Sequence, residues 1–247
     1  MTDALGWRKK FGVLAPSTNT IVEPDFYRMA VPGVTSHFSR IHIRDQDLSN
    51  NAKMEALLVQ IREEILHAID RVQTAEVDYL VMGMSAETFW GGMEGNRQFV
   101  KRLEDYSGLK VASGAEACER ALHLFKAKTV GVITPYQAIG DENVIKFFKD
   151  IGMEVKYIKG LKCPTAVSIA HVSEDELREA LIEVNAAGVD AIVQAGTNLS
   201  MLRLADEAER WLNKPVIAIN AATWWYALRE NDINDRLQGC GRLLREF

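Results

Sequence analysis

Lys10-Phe-Gly-Val-Leu-Ala-Pro16 and Thr129-Val-Gly-Val-Ile-Thr-Pro135 follow one pattern, a short apolar run that ends at a proline. Each reads as a buried strand running into a loop. Each is followed by a helix-like stretch that stops near a glycine, at Pro32-Gly33 or at Ile151-Gly152. A further strand comes next, Val34 to Ile43 in the first copy and Met153 to Ile158 in the second. The correspondence continues with Val77-Asp-Tyr-Leu-Val-Met-Gly83 and Val189-Asp-Ala-Ile-Val-Gln-Ala195. Amphipathic helices precede these, Met54 to Val72 and Glu174 to Ala186. Another helix and a strand follow, the strands spanning Leu109 to Ala112 and Pro215 to Ile219. They lead into Gly114-Ala-Glu-Ala-Cys-Glu-Arg-Ala-Leu122 and Asn220-Ala-Ala-Thr-Trp-Trp-Tyr-Ala-Leu228.

Near-continuous apolar strands alternating with helices predict an α/β fold with parallel sheets covered on both faces. The duplication predicts two pseudo-symmetric, Rossmann-like lobes. Residues 1–115 with 220–247 would form the first, and residues 116–219 the second. Such sheets take ligands beyond the carboxyl ends of their strands. Those ends carry Pro16-Ser-Thr-Asn19, Gly83-Met-Ser85, Pro135-Tyr136 and Ala195-Gly-Thr-Asn198, all small and polar. The expected site is the cleft where these four segments meet.

Bulk properties narrow the function. A chain of 247 residues with 47% hydrophobic and 26% charged residues is ordinary for a globular protein. A net charge of −5 gives no case for nucleic acid. No apolar run is long enough to span a bilayer, and Met1 to Lys10 lacks the apolar core of a signal peptide. Cytoplasmic residence and no membrane partner are the default expectations. Cys118, Cys163 and Cys240 have no paired spacing that suggests disulfides or zinc. His37 and His42 lie five apart on one strand, so alternation puts them on opposite faces. His67, His123 and His171 form no metal-ligand pair, and neither a GxGxxG motif nor a P-loop is present. No metal or cofactor is therefore expected.

At the four strand ends the sequence resembles the aspartate/glutamate racemase superfamily, most closely its maleate isomerase and arylmalonate decarboxylase branch. Pro16-Ser-Thr-Asn-Thr-Ile-Val-Glu23 resembles a maleate isomerase motif whose asparagine holds a substrate carboxylate. Gly83-Met-Ser85 with Phe89-Trp-Gly91 resembles the decarboxylases' first catalytic loop, an oxyanion pocket. Tyr136 falls where the branch has a carboxylate-binding tyrosine, and Gly196-Thr-Asn-Leu199 resembles the loop after the second catalytic cysteine. The resemblance implies carbanion or thiolate chemistry carried by cysteine: one in each half in the racemases, one attacking thiolate in the maleate isomerases, and only the second in the arylmalonate decarboxylases. The two pseudo-equivalent positions here read Gly83 and Ala195. Glycine and alanine supply neither base nor nucleophile, which disfavours two-base racemisation and thiolate-assisted isomerisation. A site that only stabilises an enediolate still works.

The candidate catalytic residues are Glu87, Ser85 and Tyr136. Glu87 stands in Met84-Ser-Ala-Glu-Thr-Phe-Trp90, where burial against aromatics would raise its pKa and suit it to proton transfer. The alternative is an acid that caps the next helix or pairs with an arginine such as Arg97. Ser85 and Thr197 occupy matching positions, suited to carboxylate binding or to helix capping. Asn19 and Asn198 can donate amide hydrogens to a carboxylate. Pro16, Ser17, Gly83, Met84, Ala195 and the Gly196 amide complete the expected substrate contacts. A helix starting near Asp141 could add its positive end. Cys163 follows a strand and could approach the cleft, or simply fill space at a loop start. Trp224-Trp225 reads as core or subunit interface. The leading expectation is a cofactor-independent isomerase or decarboxylase acting on a small carboxylate or carbonyl compound, in a homo-oligomer. The alternatives are a hydrolase or lyase in which Glu87 activates water, and a silent carboxylate-binding protein.

Overall fold

In the computed structural model, which describes residues 3–247, strand and helix alternate almost throughout. The first half contains β1 (Lys9–Pro16), α1 (Val22–Arg28), β2 (Val34–Ile41), α2 (Asn51–Gln73), β3 (Tyr79–Met82), α3 (Ala86–Phe89), α4 (Gly92–Ser107) and β4 (Val111–Ala112). Then come α5 (Gly114–Leu124), β5 (Thr129–Thr134), α6 (Ala138–Asp150), β6 (Glu154–Gly160), α7 (Glu174–Asn185), β7 (Ala191–Gln194), α8 (Leu202–Leu212) and β8 (Val216–Ala218). Two helices close the chain, α9 (Ile219–Glu230) and α10 (Arg242–Glu246). The strands form two four-stranded sheets of matching order, β2-β1-β3-β4 and β6-β5-β7-β8, and every pair is parallel. The expected α/β architecture is present, with strand ends within about two residues of those read from sequence, the ordinary uncertainty of element boundaries.

The repeated strand has a packing reason. β1 is buried from Phe11 onward, and β3 and β7 are buried along their whole length. A Cβ on Gly12 would lie 2.9 Å from Val77 and 3.1 Å from Val72. A Cβ on Gly131 would lie 2.1 Å from Val184. Val72 ends α2 and Val184 ends α7, so the same glycine in each copy lets the same helix close onto its sheet.

Helices α5 and α9, which follow the last strand of each sheet, pack against each other. They approach closely at Gly114, where a Cβ would meet Ile219 Cδ1 at 2.8 Å. Helix α9 is buried on nearly every face, as its apolar sequence requires. Trp224 packs edge-on to Phe11 with ring centroids 5.4 Å apart and tilted against Phe26 at 5.0 Å, and its indole donates to the Met29 carbonyl at 2.7 Å. Trp224 and Trp225 are thus core residues. His42 lies beyond the end of β2 and is exposed, while the His37 ring bonds Thr35. Among the described residues no His, Cys, Asp or Glu group is arranged to hold a metal ion, and no helix is long and apolar enough to cross a membrane.

Candidate active site

The carboxyl ends of β1, β3, β5 and β7 converge on one cavity with a free volume of about 70 Å³. Its polar end is a tight hydrogen-bonded cluster. The Ser85 hydroxyl bonds the Tyr136 hydroxyl at 2.7 Å and accepts the Thr197 amide N–H at 3.2 Å. Asn19 Nδ2 donates to Thr197 Oγ1 at 3.1 Å, while Asn19 Oδ1 accepts the N–H groups of Ile21 and Val22 at 2.9 Å. Asn198 Oδ1 accepts Thr20 N–H at 3.0 Å, and its amide donates to the Ala166 carbonyl at 3.0 Å. Residues from both halves of the chain therefore build one end of one pocket, and all of these side chains are buried.

The other end is aliphatic. Ile43, Leu48, Met54, Leu57 and Ile61 come from the segment after β2 and from α2, and Ala166 and Ile169 from the segment after β6. These two matching loops meet over the cleft. Leu48 N–H donates to the Pro164 carbonyl at 2.7 Å, Val167 N–H donates to Asp45 Oδ1 at 3.0 Å, and Asp47 bridges Thr165 in antiparallel fashion. Among the described residues no Asp, Glu, Lys, Arg or His lines the cavity. Its two titratable side chains are Tyr136 and Cys163. Burial pushes the Tyr136 phenol well above its usual range and the Cys163 thiol up to about 11. Both are neutral acids at neutral pH.

The sequence profile of the arylmalonate decarboxylase family matches residues 37–244. The chain belongs to that family. It is 26% identical to a maleate isomerase of Pseudomonas putida, over 95% of this chain and 96% of the relative. A maleate isomerase of Nocardia farcinica is 22% identical over 96% of both chains. In architecture the chain resembles the crystal structure of a Pseudomonas putida maleate isomerase (TM-score 0.85, 23% identity, 96% of this chain and 98% of that one). It also resembles unliganded arylmalonate decarboxylase (TM-score 0.77, 19% identity, 96% and 98%). These solved structures share the two-sheet fold found here.

Of the residues singled out from sequence in this family member, Pro16, Asn19, Met84, Ser85, Tyr136, Gly196, Thr197 and Asn198 lie on the cavity wall. Four others do not. Ser17 turns its hydroxyl to the backbone of Ile43, accepting its N–H at 3.0 Å and donating to its carbonyl at 3.1 Å. Gly83 and Ala195 sit one residue past β3 and β7, and their N–H groups are tied at 2.8 Å to Leu14 and Ile133. Glu87 points away from the cavity to an ion pair with Arg62 of α2, not with Arg97. Burial raises its pKa against the lowering effect of Arg62, and its Oε2 has no hydrogen-bond partner among the described residues.

Helix capping is not the task of Ser85 or Thr197. The Ser85 side chain makes no cap bond to α3, and α8 starts well beyond Thr197, at Leu202. Asp141 lies in the first turn of α6, where it accepts a hydrogen bond from Thr134. Cys163 is on the wall, whereas Cys118 is wholly buried in α5 with its thiol pushed up to about 12. The aliphatic wall, with Ala86 and Gln137, was not anticipated from sequence, whereas Thr18 and Pro135 belong to the strand-end segments expected to meet there. The strand-end rule applied to β2 and β6, as well as to their inner neighbours, points to the two loops that supply much of it.

Proposed function

We propose that this protein is a cofactor-independent enzyme of decarboxylase type, acting on a small carboxylate that carries an apolar substituent. The supporting observation is the cavity wall: one polar end, one aliphatic end and no charged side chain. A single carboxylate fits the hydroxyls of Ser85 and Tyr136, the Asn19 amide and the backbone N–H groups of Gly196 and Thr197. A second carboxylate held in the aliphatic end has no partner there, and desolvation raises its energy.

Loss of that group as carbon dioxide relieves the cost. The electron pair of the breaking C–C bond moves into the retained carboxylate, giving an enediolate whose two oxygens face the polar cluster. Donors aimed at developing charge in a dry site carry a large share of such a barrier reduction. The α-carbon then takes a proton from one of the two acids on the wall, Cys163 or Tyr136. Cis–trans isomerisation needs a nucleophile that adds to the double bond. Burial pushes the Cys163 thiol up to about 11, which disfavours the nucleophilic thiolate at neutral pH. The wall therefore favours decarboxylation.

Proton NMR in deuterated water with phenylmalonate and with maleate tests this. Phenylmalonate is expected to give phenylacetate with deuterium at the α-carbon, and Cys163→Ala or Tyr136→Phe to slow it, whichever residue delivers the proton. Recovery of unchanged phenylmalonate alongside conversion of maleate to fumarate would overturn the reading.

A further inference from the structure

The Thr197 carbonyl turns away from the cavity into a buried polar pair. Asn220, the second residue of α9, uses its Nδ2 for two bonds, to Thr197 O at 3.0 Å and to Asp25 Oδ2 at 2.8 Å. Asp25 stands on α1, the helix that Asn19 opens. Asp25 and Asn220 are 6% and 3% exposed, neither lines the cavity, and Asn220 Oδ1 has no partner among the described residues. Thr197 is thus held from three sides: its N–H by Ser85, its hydroxyl by Asn19 and its carbonyl by Asn220.

The same arrangement recurs around the polar end. Gly196 O accepts from Gln194 Nε2 at 2.6 Å, Asn19 O from Arg40 at 2.9 Å, and Ser85 O from the Thr88 hydroxyl at 2.8 Å. The backbone carbonyls of Asn19, Ser85, Gly196 and Thr197 are each given a side-chain donor. Two of these donors are themselves anchored on α1, Arg40 through the part-exposed Glu23 and Asn220 through Asp25, and the Asn220–Asp25 anchor is the buried one. A peptide without that anchor can rotate, and the negative end of its dipole would then face the carboxylate.

We infer that Asp25 and Asn220 are positioning residues, which pin the 197–198 peptide so that the cavity offers donors to a carboxylate. The inference rests on the carboxylate reading above. Its test uses the full-length, ¹⁵N-labelled protein with phenylacetate as probe. In Asn220→Ala, the Thr197 and Asn198 amide resonances should move without ligand, and the phenylacetate Kd should weaken about tenfold or more. Asp25→Asn keeps an oxygen that accepts from Asn220, and should bind within about threefold of the wild type. A purely structural pair would lower the melting temperature and leave resonances and Kd unchanged, which would overturn the inference. If Asn220→Ala does not fold, Asp25→Ala decides: displaced Thr197 and Asn198 resonances support the inference and unmoved ones defeat it. A wild-type protein that fails to bind phenylacetate sinks the carboxylate reading alone, because the ligand-free resonance comparison still decides the positioning role.

Discussion

Ser85 shares one buried hydroxyl between Tyr136 and the Thr197 amide, and in the proposed reaction the substrate carboxylate takes the place of one of these partners. Tyr136→Phe removes one donor from that cluster and leaves the ring in place. The expected loss is about 10²-fold in kcat on phenylmalonate, with KM changed far less, because the bond strengthens as charge develops. Steady-state kinetics beside a far-ultraviolet circular dichroism check measures it. Glu87→Gln should keep kcat/KM within about threefold, since its side chain faces Arg62 behind the wall. A larger drop would return Glu87 to the chemistry. The contrast shows what the sequence could convey at this scale. Asn19, Ser85, Tyr136 and Thr197 were legible because strand ends fix their position whatever their rotamers. Glu87 was not, because one residue along a helix turns a side chain by about 100°. Ala86 takes the cavity side and Glu87 the side of α2.

The element scale carries the duplication, and each copy depends on a strand glycine beneath a helix end. Gly131→Ala would place its Cβ 2.1 Å from Val184 Cγ1, so α7 must shift or β5 must bend. The expected destabilisation is about 1–3 kcal/mol by urea unfolding. Val184→Ala in the same chain should recover part of it, giving a coupling energy of opposite sign in a double-mutant cycle. Equal and additive losses would contradict the close-packing argument. The duplicated strand-helix sequence and the parallel α/β class were legible because apolar runs recur in the same sequence order in both copies. The aliphatic wall was not, because Leu48 and Ala166 are buried only once the 44–50 and 161–167 segments meet across the cleft. That contact joins residues far apart in sequence, and no local pattern announces it.

At the scale of the whole molecule, burial lifts the carboxyls of Asp25 and Asp141 to about 6 and that of Glu209 to about 7. Each binds more protons folded than unfolded between its ordinary and its raised pKa, so each lowers stability as pH climbs through that window. Asp47, Asp190 and Asp235, held low by their hydrogen bonds, weaken the fold only in acid. The melting temperature should therefore fall from pH 5 to pH 7.5. Glu209 alone accounts for up to roughly 1–3 kcal/mol of this, and Glu209→Gln should flatten the slope. Scanning calorimetry at a series of pH values reads it, and a slope unchanged in the variant would refute the assignment. Stability and function meet at the cleft, where two sheets contribute donors to one end of the pocket and two loops contribute hydrocarbon to the other. The most direct test of that division is the ratio of kcat/KM for phenylmalonate to kcat/KM for maleate. A cavity with no charge for a second carboxylate should give a ratio above about 100, and a ratio below one would contradict it.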